Sequence, residues 1–122
     1  MGTNNIGNYS IDDAGVSEKR ELFKKKFFER IQKLGADPLW VVSILPRNYE
    51  GKQVRGVNQN IEVINRLVQN GLDSLGDAYR FIDVFSSFLS ENYRTNMGLF
   101  KDGLHPNEEG YEVLTSKVQA RL

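Results

Sequence analysis

The sequence predicts an α/β fold in which helices cover a parallel β-sheet. Two mainly apolar segments, Leu39–Leu45 and Arg80–Phe85, have the composition of strands that are buried on both faces. Segments with helical periodicity precede, separate and follow these two strands. Such alternation of helices and buried strands is typical of an α/β fold with a parallel sheet.

The first helix is predicted to begin at Ser17 and to end near Gly35. It follows a loop over residues 2–16 that is rich in Gly, Asn, Asp and Ser. Apolar residues recur in the helix at spacings of three and four: Phe23, Phe27, Ile31 and Leu34, flanked by Leu22 and Phe28. Ser17 is a suitable N-cap, and Gly35 is a suitable C-terminal stop.

A second amphipathic helix separates the two predicted strands. The first strand is closed by Pro46, and a polar loop follows over residues 47–55. The helix is marked by Val57, Ile61, Ile64, Val68 and Leu72, and its pattern fades between Gly71 and Gly76. After the second strand, residues 86–100 are predicted to form a short helix and then a loop.

The last helix is predicted to begin at Pro106, since proline is favoured in a first helical turn. The acidic Glu108 and Glu109 suit the positive end of the helix dipole. The predicted apolar face consists of Tyr111, Leu114, Val118 and Leu122.

Length and composition restrict the functional classes. The 122 residues correspond to one domain, and 16 basic residues balance 16 acidic ones. The zero net charge argues against a nucleic-acid or anionic-membrane partner, which would favour a basic excess. The chain has no cysteine, and its longest apolar stretch is too short to span a membrane. The N-terminus does not resemble a signal peptide, so a soluble, cytoplasmic protein is favoured.

His105 is the single histidine of the chain, and it lies three residues after Asp102 in the segment 102–106. A carboxylate at this spacing in a tight turn can accept a hydrogen bond from the ring Nδ1, which leaves Nε2 free to take a proton. An exposed pair without a function is a second interpretation of this spacing. A third is a metal site that Asp102 and His105 form with Glu108 or Glu109.

A second candidate feature lies at residues 2–5, Gly-Thr-Asn-Asn. The amide of Asn4, beside a turn that Gly2 allows, can donate a hydrogen bond to a developing oxyanion. The alternative is a polar tail without a function.

Taken together, these motifs resemble the SGNH (GDSL-type) ester hydrolase family. Residues 102–107, Asp-Gly-Leu-His-Pro-Asn, followed by Gly110 and Tyr111, match the last block of the family, and Gly-Thr-Asn-Asn matches its third block. The platelet-activating-factor acetylhydrolase-like and carbohydrate O-acetylesterase branch is the most similar. The resemblance implies a flavodoxin-like, three-layer α/β/α fold, of which this chain holds the last strands and helices.

The resemblance also implies roles for individual residues. His105 corresponds to the general base, Asp102 to its orienting partner and Asn4 to an oxyanion-hole donor whose turn Gly2 supports. The Gly-Asp-Ser block that carries the family's nucleophilic serine does not occur in this sequence. We therefore expect residues 1–122 to be a single domain that is incomplete at its N-terminus, with no nucleophile in this chain.

Three hypotheses follow from the missing serine. The chain is the C-terminal part of a serine ester hydrolase, a catalytically inactive binding module, or one half of a split enzyme. The first implies a small ester substrate, such as an acetylated carbohydrate or a lipid ester, and requires no metal or organic cofactor. Either a missing N-terminal half or self-association is expected to complete the sheet, because parallel pairs alone are rare.

Overall fold

The structure, a computed structural model, describes residues 9–35, 37–48 and 52–122. Its regular elements are α1 (Val16–Gln32), β1 (Leu39–Val42), α2 (Val57–Leu75), β2 (Tyr79–Ile82) and α3 (Glu108–Arg121). Three short 3-10 turns connect β2 to α3: Phe85–Phe88, Glu91–Tyr93 and Met97–Leu99. The element order confirms the predicted α/β fold.

The two strands pair in parallel, with Leu39 opposite Tyr79 and Val42 opposite Ile82. The helix between them, α2, is the crossover that a parallel pair requires. Because successive side chains of a strand point to opposite faces, the strands contribute to two separate apolar cores. Helices α1 and α2 cover one face and α3 covers the other, which gives three layers.

The first core lies between the sheet and helices α1 and α2. The apolar positions predicted for the second helix are all buried in it: Val57, Ile61, Ile64, Val68 and Leu72. Phe28 of α1 packs directly over Gly71 of α2, where an added Cβ would come within 2.3 Å of the ring. Glycine at this position therefore allows the two helices to approach closely.

The second core lies under α3, and it corrects part of the predicted apolar face of that helix. Leu114 and Val118 pack against this core, as predicted. Tyr111 and Leu122 are instead 51% and 77% exposed. The prediction was wrong for these two residues because the buried side of α3 is centred nearer to Gly110, whose missing Cβ lets the helix approach the backbone of Leu99.

The starts of two helices also differ from the prediction. Helix α1 begins at Val16, preceded by Gly15 in the left-handed conformation, and Ser17 lies inside it. Helix α3 begins at Glu108, with Asn107 as N-cap. Pro106 instead pairs with Phe100 in an isolated bridge.

The first strand ends at Val42 rather than at Leu45, because side chains replace the strand ladder there. The hydroxyl of Ser43 accepts hydrogen bonds from the backbone N–H groups that follow β2, at 2.8 and 3.1 Å. The amide of Asn65 bonds both backbone groups of Ile44, at 2.8 and 3.0 Å. The apolar run therefore continues without a partner strand.

One edge of β1 has no neighbouring strand among the described residues, and an apolar groove follows this edge. Residues 39 and 43 donate their N–H groups toward β2, so the backbone groups of Trp40 and Val42 point to the opposite, open edge. The groove has a volume of about 960 Å³, and its walls include Phe23 and Phe27 of α1 and Leu114 of α3. Leu39 and Val41 pack against one core and Trp40 packs against the other, whereas Val42, beside the groove, is 39% exposed.

In the described part of the chain, no helix combines the length and the apolar character that crossing a lipid bilayer requires.

Candidate active site

Asp102 and His105 lie in a tight loop that the chain forms just before α3. The bridge between Phe100 and Pro106 closes the ends of the loop. Inside it, the backbone carbonyl of His105 accepts a hydrogen bond from the N–H of Lys101, at 2.9 Å. These contacts close the loop, and the side chains of Asp102 and His105 lie close together within it.

The ring of His105 is hydrogen-bonded to the carboxylate of Asp102, as the spacing of the two residues predicts. The distance from Nδ1 to Oδ2 is 2.8 Å. The second oxygen of the carboxylate, Oδ1, accepts the backbone N–H groups of Leu104 and His105, at 2.9 and 2.8 Å. Asp102 therefore fixes the loop backbone with one oxygen and the imidazole ring with the other.

This geometry determines which ring nitrogen carries the proton. An ionised carboxylate can only accept hydrogen bonds, so a neutral His105 ring is protonated at Nδ1. Nε2 then has a free lone pair, and it makes no hydrogen bond within the described residues. The His105 side chain is 67% exposed. The pair is arranged to accept a proton at Nε2 from an incoming group.

The hydrogen bonds to Asp102 lower the pKa of its carboxyl group far below the ordinary value of 3.8. The His105 ring makes the largest contribution, and the backbone N–H groups of His105 and Leu104 add to it. A lowered pKa in the folded state means that ionised Asp102 stabilises the fold at pH values above its unfolded pKa. This contribution is lost only when the pH falls through the lowered, folded pKa.

We therefore expect the loop to keep its hydrogen bonds well below pH 3.8. In a monodisperse preparation, the amide chemical shifts of Leu104 and His105 should change together at a pH far below the ordinary aspartate range. The Asp102→Asn variant should show no such transition, because its side chain does not titrate. A transition of the wild-type protein within the ordinary aspartate range would contradict this assignment.

Gly103, between the two site residues, is required by both backbone conformation and space. Its φ is +85°, and an added Cβ would lie 2.2 Å from the carbonyl oxygen of Asn48. The N–H of Asn48 in turn donates to the Gly103 carbonyl, at 2.9 Å. The loop is thereby held against the segment that continues from β1.

The Gly103→Ala variant should be destabilised by on the order of 3 kcal/mol, since the left-handed conformation and the clash both oppose a side chain. Gly35→Ala is a matched control, because Gly35 also has a positive φ, of +67°, but has open space where the Cβ would be. It should cost only about 1 kcal/mol. Urea unfolding of both variants measures the difference in their free energies of unfolding. Equal losses of stability in the two variants would contradict the close contact with Asn48.

The site lies at the carboxyl end of β1, where ligands bind in open α/β sheets. Of the other candidate residues, Gly2 and Asn4 lie outside the residues that the structure describes. Within the described ranges, no group of three or more His, Asp or Glu side chains could hold a metal ion. The metal interpretation that added Glu108 or Glu109 to the pair is therefore not supported.

Sequence reasoning missed the contribution of Asn48 to this site. Asn48 is buried, and its backbone makes the contact to Gly103 described above. The sequence does indicate that residues 46–48 follow the carboxyl end of a strand, because Pro46 and polar residues come directly after a buried apolar segment. The pairing of residue 48 with residue 103 was not predictable, because it depends on how two distant loops meet.

The solved structures that are similar to this chain include the following three proteins. A protein named as an acylhydrolase, from Bacteroides fragilis NCTC 9343, is 21% identical and has a TM-score of 0.70 over 98% of this chain. A protein named as a platelet activating factor, from Streptococcus pneumoniae, is 23% identical, with a TM-score of 0.71 over 99%. A GDSL-like lipase from Bacteroides thetaiotaomicron VPI-5482 is 17% identical, with a TM-score of 0.73 over 99%.

The chain spans 56–58% of the length of these three structures. No family model and no curated protein matches the sequence. Similarity at this level of identity establishes a common architecture. The chain shares the α/β fold of these three proteins over the part that it spans.

Proposed function

We propose that this chain is the C-terminal portion of a serine ester hydrolase of the SGNH type, with His105 as general base. The observation that carries the proposal is the 2.8 Å contact between His105 Nδ1 and Asp102 Oδ2, which leaves Nε2 free. The common fold with proteins named as an acylhydrolase and a GDSL-like lipase supports the ester hydrolase class.

In the proposed mechanism, the nucleophile is a serine that lies outside this chain. His105 Nε2 takes the proton of the serine hydroxyl while the serine oxygen attacks the ester carbonyl. The resulting imidazolium, stabilised by Asp102, then protonates the departing alcohol. Water repeats the sequence on the acyl-enzyme and releases the acid. Asn4 donates a hydrogen bond to the oxyanion that forms in each half-reaction.

We propose small acyl groups as the substrate class, such as acetyl groups on a carbohydrate, with lipid esters as a second option. The reaction needs no metal or organic cofactor, because the serine, histidine and aspartate supply the nucleophile and the proton transfers. The proposal also includes an N-terminal part that pairs with the open edge of β1.

A second candidate is a catalytically inactive binding module, and a related one is half of a split enzyme. The specific observation that favours both is the absence of a Gly-Asp-Ser block from the sequence. An upstream reading frame that carries this block in the same chain would exclude both. A block on a separate, adjacent reading frame would favour the split enzyme.

A direct test is active-site labelling with a fluorophosphonate, which reacts with activated serines. We expect no labelling of the 122-residue chain and stoichiometric labelling after the upstream segment is restored. The restored protein should also hydrolyse short-chain aryl esters. A restored protein that neither labels nor turns over these esters would contradict the proposed function.

A further inference from the structure

A buried network of side-chain amides lies behind the candidate active site. At its centre is Asn58, in the first turn of α2, with none of its surface exposed. Its Oδ1 accepts the backbone N–H of Arg47, at 2.8 Å. Its Nδ2 donates to the carbonyl of Tyr93 and to the hydroxyl of Thr95, at 2.7 and 3.1 Å. The amide of Asn58 thus joins two segments that are far apart in the sequence.

Gln53 makes a second connection between the same two segments. Its Nε2 donates to the carbonyl of Arg47, at 3.1 Å. Its Oε1 accepts the backbone N–H of Thr95, at 2.7 Å. Both backbone groups of Arg47 are therefore held by side-chain amides. Because both its N–H and its C=O group are bonded, the backbone of Arg47 is held more rigidly than the backbone of a loop without such bonds.

Asn48, the residue after Arg47, connects the fixed backbone of Arg47 to the loop that carries Asp102 and His105. Asn48 donates its N–H to Gly103, and its own carbonyl occupies the space that a Gly103 side chain would need. Among the described residues, this is the hydrogen bond that connects the segment 102–105 to the β1 side of the molecule. Gly103 lies between Asp102 and His105 in the same closed loop. We therefore expect a shift of Asn48 to move both residues.

The segment that the Asn58 side chain binds, residues 92–95, contains an unfavourable backbone conformation. Asn92 and Tyr93 both have φ of +58°, which is unfavourable for residues with a side chain. The Tyr93 carbonyl is the group that Asn58 binds, and the Tyr93 hydroxyl donates to Glu62 Oε1, at 3.1 Å. Conformations of this kind persist where surrounding contacts determine them, and they are common near functional sites.

We propose that Asn58 is a positioning residue that holds the Asp102–His105 pair in place through Arg47, Asn48 and Gly103. The inference rests on the proposed function, because positioning matters only if the pair is used. It assigns a role to a residue about two-fifths of the sequence away from the pair. The hydrogen bonds of the Asn58 side chain within the described residues go to Arg47, Tyr93 and Thr95, and none goes to Asp102 or His105.

The test uses the reactivity of the single histidine toward diethyl pyrocarbonate, which needs no enzymatic activity and no particular oligomeric state. Asp102→Asn sets the reference for a ring that has lost its partner, and its rate of modification should differ from the wild-type rate by roughly threefold or more. Asn58→Ala should shift the rate in the same direction. Asn65→Ala is the matched control, since Asn65 is also a buried amide of α2 that bonds one residue's backbone twice.

Asn65→Ala should cost comparable stability and leave the rate of modification near the wild-type value. Equal rates for Asn58→Ala, Asn65→Ala and wild type, with a changed rate for Asp102→Asn, would overturn the inference and leave the proposed function intact. An unchanged rate in Asp102→Asn would overturn the coupled pair on which the proposed function rests. If circular dichroism shows that Asn58→Ala is unfolded, Gln53→Ala, at a half-buried position, decides in its place.

A second readout applies to the restored enzyme. Asn58→Ala should lower kcat by about ten- to a hundredfold with KM nearly unchanged, because a misplaced base affects the chemical step rather than binding. Asn65→Ala should change kcat by less than about threefold. Equal effects of the two variants on kcat would show that Asn58 acts only through stability, and would overturn the inference.

Discussion

Replacing His105 by alanine in the restored hydrolase should reduce turnover of short-chain aryl esters by on the order of 10⁴-fold or more. The loss is large because base and nucleophile act as a unit: without Nε2, the serine hydroxyl keeps its proton and is a weak nucleophile. Asp102, hydrogen-bonded to the ring at 2.8 Å, cannot replace the base, since it lies on the Nδ1 side. Steady-state kinetics with an aryl acetate measure the effect.

Glu109→Gln is the matched control for this experiment. Glu109 is an exposed residue of the first turn of α3, and it would matter only if the pair were part of a metal site. We expect its rate to stay near the wild-type value. A His105→Ala variant that retained nearly the full rate would show that His105 is not the general base.

Asn4→Ala should have a smaller effect, a loss of about a hundred- to a thousandfold in kcat, as for one oxyanion-hole donor. The difference between the two variants follows from their roles, because an oxyanion hole retains its backbone donors when one side chain is removed. If Asn4→Ala equalled wild type in kcat, Asn4 would have no part in stabilising the oxyanion.

The amino-acid sequence predicted those parts of the structure that depend on the spacing of residues close together in the chain. The five buried apolar positions of α2 were all found from their spacing, because that helix packs one continuous stripe against the sheet. The spacing of Asp102 and His105 predicted their hydrogen bond, since a tight loop leaves few other arrangements. Both results depend on short-range geometry, which sequence patterns describe well.

The errors lie where distant segments decide the local structure. Strand β1 ends at Val42 because Ser43 and Asn65 bind backbone groups from outside the strand. Tyr111 is exposed because the approach of Gly110 to Leu99 sets the rotation of α3. The contact of Asn48 with Gly103 likewise joins residues that no local pattern relates.

The isolated 122-residue chain should self-associate. Trp40 and Val42 present backbone N–H and C=O groups at the open edge of β1, and an exposed strand edge is a template for another strand. The groove along this edge, about 960 Å³ in volume, is lined largely by apolar side chains, of which Leu22 and Val42 are 52% and 39% exposed. Sedimentation at micromolar concentration should therefore show dimers or larger species, and thermal unfolding should be broad.

Proline substitutions separate pairing at this edge from a general loss of stability. The N–H of Val42 points to the open edge, so Val42→Pro removes a donor that β2 does not use and should shift the chain toward monomer. The N–H of Val41 points toward β2, so Val41→Pro should disrupt the parallel pair and unfold the chain. A wild-type chain that is a monodisperse monomer with a sharp, cooperative transition would contradict the prediction. That result would favour the inactive binding module over the partial hydrolase, because a two-stranded sheet would then be sufficient for a stable domain.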